Sequence, residues 1–200
     1  MGRGFTQMGT MRTKTRARRV LAACVFCLLA GEGRIASAQD SSRPLKAADA
    51  VKTQVYVSLE PVPQGRKFEV AVVAQVAEGY HVQANKVLEA YLIPLTVTAE
   101  LPAGFKLVNA VYPKAVVKKF PFATQPMAVY EGRFLVRLVL EAEVEAPTGN
   151  VKVPMTLRFQ ACNDQLCLPP AKLPMTAELI VAQAGATAKH IHPEIFEVRQ

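Results

Sequence analysis

Between residues 133 and 144 the chain sorts its side chains onto two sides. Arg133, Arg137, Glu141 and Glu143 fall on odd positions. Phe134, Val136, Leu138, Leu140, Ala142 and Val144 fall on even ones. A period of two predicts a half-buried antiparallel strand whose even positions face a core. β-Branched or alternating runs at 55–59, 68–74, 95–99, 151–159 and 175–181 predict further strands. Breakers separate them, among them Pro61, Pro63, Gly65, Gly79, Pro102, Gly104, Pro147, Gly149, Pro169 and Pro170. No long amphipathic helix is evident, and residues 87–92 would suffice for one turn. Short strands between turn signals predict an all-β protein, an immunoglobulin-like antiparallel β-sandwich. The likeness is architectural, because Trp is absent and the widely spaced cysteine pair of antibody domains is missing.

The pattern changes before residue 51. Arg12, Lys14, Arg16, Arg18 and Arg19 precede a short apolar run from Val20 to Gly31. Ala36 and Ala38 then flank Ser37, small residues where a signal peptidase reads the chain. This is the order of a secretory signal. The run falls short of the roughly 20 residues a membrane span needs, and no later segment reaches that length. Residues 21–24 resemble a lipoprotein box, but no apolar stretch precedes it, so lipidation at Cys24 is not expected. The expected organisation is a signal peptide at 1–38, a flexible lead-in at 39–50, a sandwich at 51–183 and a flexible tail at 184–200. The expected location is periplasmic or secreted after cleavage near Ala38.

Cleavage alters the charge balance. The first 38 residues hold seven of the 24 Lys and Arg and one of the 16 Asp and Glu. The remaining chain carries 17 basic and 15 acidic side chains, a net charge of +2. The basic balance belongs to the targeting segment and does not point to nucleic acid. His190 and His192 sit together near the C-terminus without a third ligand nearby, so no metal site is expected.

Cleavage also removes Cys24 and Cys27 and leaves one pair, Cys162 and Cys167. An even count in an oxidising compartment favours a disulfide. Asn163, Asp164 and Gln165 suit a turn, and a four-residue hairpin loop would set the cysteines opposite each other. Facing residues of antiparallel strands lie roughly 4.5–5.5 Å apart at Cα, close to what a disulfide requires. A loop this short contributes only on the order of 2 kcal/mol of chain entropy. A staple would more usefully join distant strands, whereas a bridge across a hairpin opens with little else moving. Redox exchange is the leading reading, and a permanent hairpin clip stands beside it.

The residues around the pair carry a resemblance. Phe159-Gln160-Ala161-Cys162 through Cys167-Leu168-Pro169-Pro170 resembles the redox motif of the N-terminal periplasmic domain of the thiol:disulfide interchange protein DsbD. Looser likenesses lie at Gly79-Tyr80-His81, Leu92-Ile93-Pro94-Leu95, Leu101-Pro102-Ala103-Gly104-Phe105, Val111-Tyr112-Pro113 and Val129-Tyr130-Glu131-Gly132. Together they cover roughly residues 50–182. The family domain is an immunoglobulin-like sandwich that needs no metal or organic cofactor, only its redox-active disulfide.

The resemblance implies specific roles. The pair would take electrons from a thioredoxin-like donor and pass them to a periplasmic oxidoreductase, with Cys167 attacking and Cys162 resolving. That is the activity of a protein-disulfide reductase component. A cap loop with a Phe shields the family's disulfide. The matching segment here is 118–122, with Phe120 first and Phe122 second as cap residue and an ordinary core role as the alternative for Phe120. Lys118 and Lys119 stand where better-known members carry acids, and near a cysteine they would favour thiolate character. The cysteine spacing is one residue shorter than in some members. His81 would serve as acid or base if it lies beside the pair, and otherwise is a strand histidine. Family members continue into a membrane domain and a thioredoxin-like domain, so a stand-alone relay is expected here. The alternative is a secreted binding module with a static clip. A hydrolase lacks support, since no Ser-centred motif or carboxylate pair is present.

Overall fold

The computed structural model describes residues 45–197, which form one compact unit. The expected signal peptide, its cleavage site, Cys24, Cys27 and the start of the lead-in lie outside the described residues. A 3-10 turn over Ala47–Ala50 leads into β1 (Val51–Val57), β2 (Leu59–Glu60), β3 (Val62–Pro63) and β4 (Arg66–Val76). Then come β5 (His81–Gln83), β6 (Thr96–Ala99), β7 (Phe105–Val111), β8 (Val116–Lys118) and β9 (Met127–Glu131). The chain continues through β10 (Arg133–Ala142), β11 (Gly149–Phe159), β12 (Ala161–Cys162) and β13 (Ala171–Ala182). It closes with β14 (Lys189–His190) and a short helix α1 (Pro193–Phe196). No described helix is long and apolar enough to cross a membrane.

Two four-stranded sheets make the sandwich, in the orders β1-β4-β10-β7 and β3-β13-β11-β6. Taking the seven main strands β1, β4, β6, β7, β10, β11 and β13 as A to G gives A-B-E-D against C-F-G. That is the division of an immunoglobulin fold, so the expected architecture is borne out. β3 extends the second sheet by pairing parallel to β13. Even positions of β10 are buried throughout, as its alternation requires. They meet Phe68, Val70, Val72, Leu157, Leu179 and their neighbours in the main core.

β4 is buried on both sides, which explains its unbroken apolar run at 70–74. Its second side, through Ala71 and Val73, is covered by Ile195 of α1. The segment expected as a flexible tail is therefore folded through residue 197: β14 pairs with β2, and α1 packs on β4. The helix forms because it buries Ile195, a tertiary gain that the Ala/Gly-rich lead-up at 184–188 does not reveal. The end of the lead-in is also seated, with Ala50 fully buried.

A third, smaller sheet, β12-β5-β9-β8, stands apart from the sandwich proper. Its strands are built from the connections B–C, D–E and F–G, which gather at one end of such a sandwich. Gly132, at φ 60°, marks where the chain leaves β9 in this sheet and enters β10 in the main one. That conformation is costly for any residue with a Cβ. The small sheet carries both cysteines' surroundings.

Candidate redox site

Cys162 and Cys167 are joined by a disulfide across a four-residue loop. Asn163 N–H donates to Leu166 O at 2.9 Å, and Leu168 N–H donates to Ala161 O at 2.8 Å. The cysteines thus form a pair between two hydrogen-bonded rungs, the closer kind of antiparallel pair. Their Cα atoms are 3.9 Å apart, nearer than expected. Asn163 shapes the loop by accepting the N–H groups of Gln165 and Leu166 on its Oδ1, each at 2.9 Å. Gln160 anchors the exit by donating Nε2–H to Leu168 O at 3.2 Å. The two cysteines differ in burial: Cys162 is fully buried, and Cys167 is half-buried.

β5 supports the pair from one side. His81 faces Cys162 in register, and Val82 faces Ala161. Alternation puts His81 and Gln83 on the same side of β5. Both are buried, and Gln83 Nε2–H donates to Cys162 Sγ at 3.7 Å. His81 Nε2 and Gln83 Oε1 have no hydrogen-bond partner.

Phe120 covers His81. Their rings stack with centroids 3.9 Å apart, and Phe122 stacks on the outer side of Phe120 at 5.8 Å. Phe120 is buried together with Leu92, Met127 and Val129 in a small apolar cluster separate from the main core. Phe122 remains exposed. Phe120 is therefore core-like in burial and lies over His81.

The charged residues divide. Lys118 Nζ pairs with Glu131 at 2.5 Å, so its charge is matched by a carboxylate. Lys119 is exposed. Both line a cleft of about 710 Å³ with His81, Phe120, Glu131 and Asp164, and neither cysteine lines it. Burial holds the His81 imidazole below its ordinary pKa; Glu131 and Asp164 oppose this, and Lys118 adds to it. Sequence reasoning brought Cys162, Cys167, His81, Lys118 and Phe120 forward, and the fold gathers them at one end. It missed Gln83, Glu131 and Asp164. The available signal for Gln83 was an amide two residues from His81, on the same face of one short strand. At the C-terminus, His192 lies edge-on to Tyr56 and pairs with Glu194. No described group of three or more His, Cys, Asp or Glu is placed to hold a metal.

Among solved structures, the chain is similar to the Neisseria meningitidis DsbD N-terminal domain in its reduced form. Identity is 17%, coverage is 67% of this chain and 88% of that one, and the TM-score is 0.39. It is also similar to the N-terminal periplasmic domain of ScsB from Proteus mirabilis, at 10% identity and a TM-score of 0.42. That likeness covers 66% of this chain, which spans 46% of the ScsB structure. No curated protein sequence matches the chain significantly. Residues 43–177 match the family described as thiol:disulfide interchange protein DsbD, N-terminal, over about two thirds of the sequence. The chain belongs to the DsbD N-terminal domain family.

Proposed function

We propose that this chain is an exported thiol–disulfide exchange protein that relays electrons through Cys162 and Cys167. The observation that carries the reading is the asymmetry of the pair: a disulfide across a short hairpin with one cysteine fully buried and the other half-buried. A partner thiolate attacks Cys167 Sγ, a mixed disulfide forms, and Cys162 leaves with the electron pair of the broken bond. The partner's second thiolate then attacks its own sulfur in the mixed disulfide and releases Cys167. The partner ends as a disulfide, and the pair holds two more electrons. In the onward step Cys167 attacks the acceptor's disulfide and Cys162 resolves the product.

The donor in this reading is a thioredoxin-like protein or domain, and the acceptor is a periplasmic oxidoreductase. Phe120, resting on His81, is the cap that limits exchange with stray thiols, and Phe122 is its outer layer. Lys118 and Glu131 tie the base of the cap segment to β9. Lys119, exposed at the rim of the cleft, is left to meet a partner. Export places the pair where such partners work, as the N-terminal signal pattern supports.

The test uses single-cysteine variants against a thioredoxin-fold donor. Cys162→Ser leaves the half-buried Cys167 and should capture the donor as a mixed disulfide. Cys167→Ser leaves the buried Cys162 and should capture little. Absence of capture by either variant would favour a static clip in a binding module.

A further inference from the structure

Gln83 is the one side chain, apart from the bonded Cys167, that makes a polar contact with Cys162 Sγ among the described residues. Its position is closely held. Gln83 N–H donates to Gln160 O at 3.3 Å, and its backbone faces Val129 of β9. Val82 and Ala84 on either side are fully buried, as is Gln83 itself. An aliphatic side chain would fill such a site with no polar atom left over. The amide instead carries an unpartnered Oε1, and a half-satisfied buried amide is costly.

The partner on its donor side is sulfur, whose acceptor strength depends on redox state. A disulfide sulfur is a weak acceptor, whereas a thiolate takes a charge-assisted hydrogen bond. The contact therefore strengthens when the disulfide opens. We infer that Gln83 is a positioning and charge-stabilising residue that holds Cys162 as the thiolate leaving group during exchange. The inference rests on the exchange reading for its attacking partner. As the partner's sulfur bonds to Cys167 Sγ, the Cys162–Cys167 bond breaks and its electron pair moves onto Cys162 Sγ. That sulfur is fully buried, where an unsupported anion is disfavoured. The Gln83 amide hydrogen already points to where the charge develops, so little reorganisation accompanies the step. A more stable leaving thiolate departs faster.

The ionisable neighbours are His81, opposite Cys162 on β5, with Glu131, Asp164 and Lys118 around that imidazole. Gln83→Met keeps all of them and replaces the amide with a side chain of similar length and no donor. In a Cys167→Ser background, the ultraviolet absorbance of the Cys162 thiolate is followed against pH with and without Gln83→Met. The expected result is a rise in the Cys162 midpoint of about one pH unit, the effect of one lost hydrogen bond to a charged group. With both cysteines present, Gln83→Met should slow reduction by dithiothreitol several-fold. An unmoved midpoint overturns the assignment. Should Gln83→Met fail to fold, the reduced wild-type protein gives the answer by NMR. The Gln83 side-chain amide resonances should shift with thiolate formation, and resonances that ignore it overturn the assignment. The two readings fail separately. Partner capture with an unmoved midpoint removes only the role of Gln83. A moved midpoint without capture supports the thiolate contact and removes the exchange reading.

Discussion

His81 lies flat against Phe120, with ring planes within 16° of parallel, and the same histidine stands opposite Cys162 in the strand register. One imidazole thus links the hairpin that carries the disulfide to the loop that carries Phe120. Phe120 belongs to a small cluster with Leu92, Met127 and Val129, whereas Ala161 and Leu168 of the hairpin pack into the main core, so the loop can loosen while the sandwich stays intact.

Phe120→Ala should uncover the site. The expected outcome is faster reduction of the disulfide by dithiothreitol, together with a stability loss of about 3 kcal/mol, the low end for a buried Phe. The stability cost follows from its burial; a wholly exposed lid would show none. Stopped-flow reduction and urea unfolding measure the two effects. An unchanged reduction rate with the stability loss intact would leave Phe120 as packing alone.

His81 should make this end of the protein sensitive to acid. Burial sets its folded pKa below the ordinary value of 6.5. As pH falls, the unfolded chain takes up this proton first. The contribution of His81 to stability is therefore fully present above about pH 6.5 and is lost as pH falls through its folded value. His81→Phe keeps a ring against Phe120 and removes the titration. Its stability should vary less with pH below 6.5 than that of the wild type. Urea midpoints for both proteins at matched pH values check this, and identical slopes would contradict it.

Six of the seven main strands of the sandwich were legible; β7 was not, because residues 106–109 are all exposed and show no alternation. β10 displays ten residues of alternation and pairs as that pattern requires. β5, β9 and β12 run for two to five residues and were missed, because so short a strand has no measurable period. Yet these build the site. The cysteines stood out because their chemistry is local, five residues apart. Gln83 did not, because its contact with Cys162 spans 79 residues of sequence. Glu131 and Asp164 line the cleft beside Lys118 and Lys119, brought there from a neighbouring strand and from the cysteine loop, and their sequence distance hides that meeting.

The C-terminal segment gives a stability prediction of its own. Ile195 is buried against Ala71 and Val73 on the outer side of β4. Ile195→Ala should cost about 2 kcal/mol, the lower end for large-to-small changes at a peripheral apolar contact. Urea unfolding measures it, and a change within 0.5 kcal/mol, about that of an ordinary surface site, would mean the helix is not seated in solution.

The reduction potential of the Cys162–Cys167 pair tests the central claim most directly. Equilibration of the protein in glutathione and dithiothreitol buffers, with the thiol state read by alkylation, gives the value. An exchanging pair should lie above about −300 mV, within reach of thioredoxin-like donors. A value well below that limit would make the bridge a structural clip and contradict the relay.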